Sequence, residues 1–295
     1  MIESLWQYDF LRNAFLAGLI VGFIAPVLGV YIVVRRLSLM ADALSHIALS
    51  GIAVTVFLQT RVPFLYGLDP AYGGMAFAVL GALSIEKLRS LFRHFGELAI
   101  PIMMSAGIGI GIIFLSLADG FTPDLYGYLF GSVSAVSRSD LYLIFVATML
   151  IFIFVLLFRK ELFLLSFDET FAKVAGIPAR AIHHLFMIAV SISIALSMQI
   201  VGILLVSSLM TLPVAASFRV AKSFQNALFL SAIFGEFAVI GGLVAAYYLD
   251  LRPGGTIVIL EVLLLLLTEL IQRISIRWRG GNGDEYQQSH STVEG

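Results

Sequence analysis

The chain has 295 residues, 60% of them hydrophobic and 13% charged, with a mean hydropathy of +0.99 and a formal net charge of −1. That composition excludes an ordinary soluble domain, and the near-neutral balance gives no basis for nucleic-acid binding. Cysteine is absent, which excludes a disulfide framework, a thiolate metal site and c-type haem.

Apolar runs long enough to cross a bilayer recur from Leu11 to about Leu270, so the expected fold class is an all-α polytopic membrane protein. The pattern predicts about nine spans, with eight as the alternative: 11–34, 42–59, 71–88, 98–118, 140–158, 183–198, 200–218, 225–248 and 256–274. The first run lacks a basic leader and a small-residue cleavage site, so it is expected to be retained. Fourteen of the eighteen Lys and Arg residues, from Arg35 and Arg36 to Arg277 and Arg279, fall on one side of this arrangement. Only Arg12, Arg61, Arg138 and Arg252 fall on the other. The first side is therefore expected to be cytoplasmic, with the amino terminus outside and the carboxyl terminus inside.

Within the first span, Gly18, Gly22 and Gly29 suit close helix packing, as do Gly51, Gly107, Gly241 and Gly242 further on. The second span opens with Met40-Ala41-Asp42-Ala43-Leu44-Ser45-His46. Asp42 and His46 are four residues apart and share one helix face. Ionisable groups at membrane depth mark substrate, ion or proton paths, and carboxylate plus neutral imidazole suits a borderline divalent metal. Two other readings fit the same pair: Asp42 capping the helix with His46 bonded to it, and a proton relay. Glu97 suits the start of the fourth span.

The outer loops carry Asp69, Asp119, Asp124, Asp140 and Asp250, which either solvate the loops or concentrate cations at an entrance. Asp124 to Gly131 reads as a short interfacial helix with an aromatic face. The longest inner connection is 159–183. In it, Asp168 suits an N-cap, 169–175 a short amphipathic helix, Gly176 a left-handed C-cap position and Pro178 the start of the next helix. A capped helix of this kind is either a docking element or an interfacial helix lying on headgroups. No G-x-x-x-x-G-K-[ST] motif is present, so ATP binding through such a loop is excluded for this chain. His183-His184 begins the sixth span. Glu236 and Glu261 fall inside late spans, where each is expected to face a helix interface, a path or a gate. The expected organisation is a permease domain over 1–278, with a cytoplasmic loop at 160–183, and a disordered Gly-rich tail over 279–295.

Several segments together resemble the permease subunits of ATP-binding-cassette importers for zinc, manganese and iron. They are Val33-Val34-Arg35-Arg36-Leu37-Ser38-Leu39-Met40 running into Asp42-x-x-x-His46, Leu129-Phe130-Gly131-Ser132, Ala172-x-x-x-Gly176, and Gly202-Ile203-Leu204-Leu205-Val206 with Pro213. The amino-terminal third, with Tyr8-Asp9-Phe10-Leu11 and Ala25-Pro26-Val27-Leu28-Gly29-Val30, is most similar to zinc-uptake permeases of Gram-positive bacteria. The resemblance implies a type II importer permease of the bacterial plasma membrane that is a transport subunit and not an enzyme. It implies a homodimer, two cytoplasmic ATPase subunits and an extracellular metal-binding lipoprotein. It implies no tightly bound cofactor, and a divalent metal, zinc first, as cargo. Asp42 and His46 then lie on the transport path. The loop bearing Asp168, Glu169, Ala172, Gly176 and Pro178 couples to the ATPase. The family pattern carries no role to Glu236 or Glu261. A secondary, ion-coupled carrier is the alternative class.

Overall fold

The structure, a computed structural model, describes residues 7–92, 95–118, 123–132 and 136–291, except for the side chains of 123–125, 204 and 275–291. Among these residues there are helices, turns and no strands. The helices are α1 (Asp9–Val34), α2 (Ser38–Arg61), α3 (Pro70–Leu91), α4 (Ala99–Leu117), α5 (Pro123–Phe130) and α6 (Arg138–Leu157). They continue with α7 (Arg159–Phe167), α8 (Glu169–Val174), α9 (Ala179–Ser197), α10 (Val206–Val220), α11 (Phe224–Leu249) and α12 (Pro253–Ser291).

Each expected span matches one of these helices. Seven of the matching segments are both long and apolar enough to cross a membrane. The exceptions have physical reasons. Glu86, Lys87 and Arg89 lower the apolarity of α3 near its end. The 15-residue α10 rises only ~22 Å, short of the ~30 Å of hydrocarbon a span must cross.

Local chemistry sets most helix starts. Asp69 accepts from the Ala71 amide at 2.8 Å and Pro70 occupies the first turn of α3. Ser137 and Asp140 form a capping box on α6, and the Ser223 hydroxyl caps α11. Asp140 is buried in that box, so this acid, expected in an outer loop, is a structural cap. α2 begins at Ser38 rather than at Asp42, with Leu37 as its uncapped entry residue. Glu97 lies in a 3₁₀ turn, and α4 starts after it without a side-chain cap.

In the most apolar stretches of α1, α2 and α9, 72%, 61% and 61% of the residues are buried, against 28% in those of α4, α6 and α12. The first three therefore form the centre, and the others present their apolar faces outward. α2 packs on α3 and α4; α1 packs on α6, α10 and α11; α10 also reaches α2 and α12, and α9 crosses α3. Small residues set these distances. A Cβ on Gly29 would sit 2.0 Å from the Met210 carbonyl oxygen, and one on Gly51 2.3 Å from the Gly73 carbonyl. These helices meet backbone to backbone.

Between α9 and α10 the chain leaves helical geometry over 198–205, apart from a 3₁₀ turn at Ile203–Leu205. Met198, Ile200, Val201 and Ile203 in this segment are buried. It is sealed by backbone: Ser132 N–H donates to the Gln199 carbonyl at 3.3 Å, and Gly254 abuts the Val201 carbonyl. Gly202, at φ +89, makes the turn. Irregular backbone at membrane depth is tolerated where protein covers it in this way. The helical backbone of α12 runs on to Ser291 through the stretch expected as a tail, and 292–295 lie outside the described residues.

Candidate metal path and coupling surface

Asp42 and His46 lie one turn apart on α2, ~6 and ~12 Å from its first residue at 1.5 Å per residue. Both are half-buried. Asp42 lies inside the helix and does not cap it, and no hydrogen bond joins the two side chains. The capping interpretation of the pair is therefore not realised. Ile47, Ala48, Ser50, Gly51, Ile52 and Thr55 are among the α2 residues that meet glycines of α3 and α4, and the Ser50 hydroxyl donates to the Gly107 carbonyl of α4. Asp42 and His46 form no hydrogen bond or ion pair with any described residue, which leaves both side chains available. Met40 is buried on the same helix. No cluster of three or more His, Asp or Glu residues able to hold a metal occurs among the described residues.

The structure does not bring Glu236 or Glu261 into such a group. They lie on α11 and α12, which pack on each other and on α10. Glu261 is 1% exposed; its carboxyl lies beside the Ser208 hydroxyl of α10, which donates instead to the Leu205 carbonyl, so neither Glu261 oxygen is in a well-formed hydrogen bond, and one Glu236 oxygen is likewise unpaired. Unpaired carboxyls at this depth are expensive and mark these positions for attention.

At the opposite end from Asp69 and Tyr128, the basic residues gather. Asp168 accepts from the Phe171 amide at 2.8 Å and caps α8. Glu169 pairs with Lys173 at 2.7 Å, and that hydrogen bond holds the Glu169 carboxyl below its ordinary range against a smaller opposing effect of burial. Ala172 is fully buried beneath α8. Gly176, at φ +79, ends the turn, with its N–H on the Lys173 carbonyl, and Pro178 leads into α9. The expected capped helix is thus present at the expected residues.

Sequence reasoning missed the network beside it. Arg35 Nη1 meets His183 Nδ1 at 2.9 Å, its Nε donates to Ser166 Oγ at 3.1 Å, and its guanidinium stacks on Phe186 at 5.1 Å. Because Arg35 can only donate, Nδ1 is the acceptor and Nε2–H of His183 faces Glu86 at 3.1 Å. Glu86 also holds Arg89 at 3.1 Å. Burial lowers the Arg35 pKa from its ordinary value, with Glu169 and Glu86 opposing. The network ties the α1–α2 hinge to α3, α7 and α9. Its members are far apart in sequence, and the paired histidines were its one visible sign.

At the end away from the basic residues, Tyr128 of α5 donates to Asp69 at 2.9 Å, joining the short aromatic helix to the entry of α3. Asp119 and the side chain of Asp124 lie outside the described residues.

A bundle with a buried irregular segment, an intramembrane acid–imidazole pair and a capped helix at its basic end is the architecture of a multi-pass transport permease. Residues 7–272 match the ABC 3 transport family. A probable metal transport system membrane protein of Treponema pallidum is 34% identical over 268 residues, covering 91% of this chain and 97% of that one. The manganese transport system membrane protein MntC of Listeria innocua is 31% identical, covering 91% and 93%. The solved structure of PsaBC from Streptococcus pneumoniae in complex with Fab superposes with a TM-score of 0.79 at 31% identity, covering 90% and 93%. The chain therefore belongs to the ABC 3 transport family: it is a multi-pass membrane permease of metal importers, a transport subunit rather than an enzyme.

Proposed function

We propose that this permease imports a divalent transition metal through a path lined by α2, with Asp42 and His46 as its ligands. The observation that carries this reading is the pair itself. Both groups are half-buried, one turn apart on α2, and form no hydrogen bond or ion pair with a described residue. Two ligands bind weakly enough for an ion to leave again. Two copies of the chain would bring two such pairs to one axis, which supports a homodimer.

Manganese is our first choice of cargo, on the names of relatives such as the Listeria protein. Zinc is the second reading, favoured by the amino-terminal resemblance; both metals accept carboxylate and imidazole. The basic end is cytoplasmic on the loop charges. The loop around α8, with Asp168, Glu169, Ala172, Gly176 and Pro178, seats in an ATPase subunit, two per dimer, and an extracellular lipoprotein delivers the metal outside. Glu236 and Glu261 are gate candidates, supported by their unpaired oxygens.

The test is metal-stimulated ATPase activity of the permease–ATPase complex with its binding protein in lipid, wild type against His46→Ala. Stimulation that disappears in the variant supports the proposal. Uptake that follows a proton gradient, with no ATPase co-purifying, overturns it.

A further inference from the structure

A cleft of about 1080 Å³ opens at the basic end between the α1–α2 hinge and the ends of α3, α7 and α9. Its wall carries five cations, Arg35, Arg36, Lys87, Arg89 and Arg180, against two carboxylates. Both carboxylates are already engaged: Glu86 by Arg89 and His183, and Glu169 by Lys173. Arg35, Arg36, Lys87 and Arg180 have no ion-pair partner among the described residues, so the cleft keeps a surplus of positive charge. His184, at its edge, is occupied with the Arg180 carbonyl at 2.6 Å.

Two details show that the surplus is built in. The Arg35 fork is fixed by Ser166, His183 and Phe186, yet its remaining terminal nitrogen, Nη2, is buried without a partner. A rigid guanidinium with one spare donor fits an oxyanion. Arg36 stands at φ +59, in the left-handed position closing α1, with the Leu37 N–H on the Ile32 carbonyl at 2.9 Å. Glycine would be unstrained there, whereas Arg36 accepts the strained position with its side chain exposed on the cleft wall.

A third observation identifies the kind of anion. Leu80, Ser84, Lys87 and Leu91 recur on one face of α3, and all four are exposed. This face leads from bilayer depth to the cleft, where Lys87 is part of the wall. A basic pocket at headgroup level, flanked on α3 by the exposed Leu80 and Leu91, fits a phosphate carrying acyl chains.

We propose that this cleft binds the phosphate headgroup of an anionic phospholipid, with Arg35, Arg36 and Arg180 as its ligands. Ser166 and Glu169 belong to the α7–α8 block, so an occupied cleft also braces the surface offered to the ATPase. The binding claim is independent of which metal is carried.

The experiment is native mass spectrometry of the full permease complex after lipid exchange with phosphatidylglycerol or phosphatidylethanolamine, paired with thermal shifts on adding phosphatidylglycerol or inorganic phosphate at equal ionic strength. Wild type is expected to retain phosphatidylglycerol selectively. The Arg36→Gly/Arg180→Ala variant, which relieves the backbone at position 36, is expected to lose at least about tenfold in retention. Arg252→Ala, at the other end, is the matched control and is expected to retain lipid as wild type does. Unchanged retention in the double variant overturns the site. An equal shift with inorganic phosphate alone overturns the lipid assignment in favour of a soluble anion. Loss of the ATPase with lipid retention intact assigns the cleft to the ATPase interface and overturns the proposal.

Discussion

Gly29→Ala tests the helix packing that sets the width of the bundle beside the path. The added Cβ would lie 2.0 Å from the Met210 carbonyl oxygen, 2.9 Å from its carbon and 3.2 Å from Cα. All three atoms are backbone, so no rotamer change relieves the clash. Ordinary contact begins near 3.4 Å, so α1 and α10 must separate by more than ~1 Å or bend. Overpacking of this kind costs about 1–3 kcal/mol. At roughly 2–4 °C per kcal/mol for a chain of this size class, the melting temperature should fall by ~2–12 °C. Gly109→Ala is the control, because nothing lies within 4 Å of its added Cβ. It should melt at or slightly above wild type, since alanine is the better helix former by about 0.5–1 kcal/mol. The assay is thermal unfolding of the purified protein in one detergent, followed by loss of the monodisperse peak. A Gly29→Ala protein that melts with wild type would refute the close α1–α10 contact. Because α10 also packs on α2, the same variant should slow uptake.

Further tests follow from the basic end and the buried acids. Asp168→Ala removes the only side-chain cap of α8 and should weaken that helix by about 1 kcal/mol, whereas Asp168→Asn keeps a capping oxygen; ATPase stimulation should drop in the first and persist in the second. His183→Ala leaves Arg35 Nη1 without an acceptor and Glu86 Oε2 without a donor, although Ser166 and Arg89 still hold the two residues, and should destabilise the protein by about 1–3 kcal/mol, measured by the same thermal assay, while a double-mutant cycle with Glu86→Gln should show non-additivity. Glu261→Gln should slow uptake without reducing assembled complex; unchanged uptake would make Glu261 a structural carboxyl.

Much of the fold was legible because membrane helices must be long, apolar and self-satisfied in hydrogen bonding. α8 was legible to within one residue, expected over 169–175 and found over Glu169–Val174, since Asp168, Gly176 and Pro178 act locally on the backbone. The α9–α10 break was harder. The segment 198–205 is as apolar as its neighbours, and only its burial under α5 and the start of α12 lets it leave the helix. The start of α2 was placed late because Asp42 looks like a cap, while the α1 terminus at Arg36 sets the true entry. The Arg35–His183–Glu86 network joins residues more than 50 apart in the chain, so spacing could not reveal it. Asp42 and His46 stood out for the opposite reason: two costly groups one turn apart need no tertiary information to be noticed.

The most direct test of the central claim is the initial rate of manganese and zinc uptake into proteoliposomes. These would hold the permease with its ATPase, with loaded binding protein outside and equal amounts of assembled complex for wild type, Asp42→Ala and His46→Ala. The account predicts ATP-dependent uptake in wild type and background rates in both variants. Wild-type rates in both would contradict a metal path through Asp42 and His46.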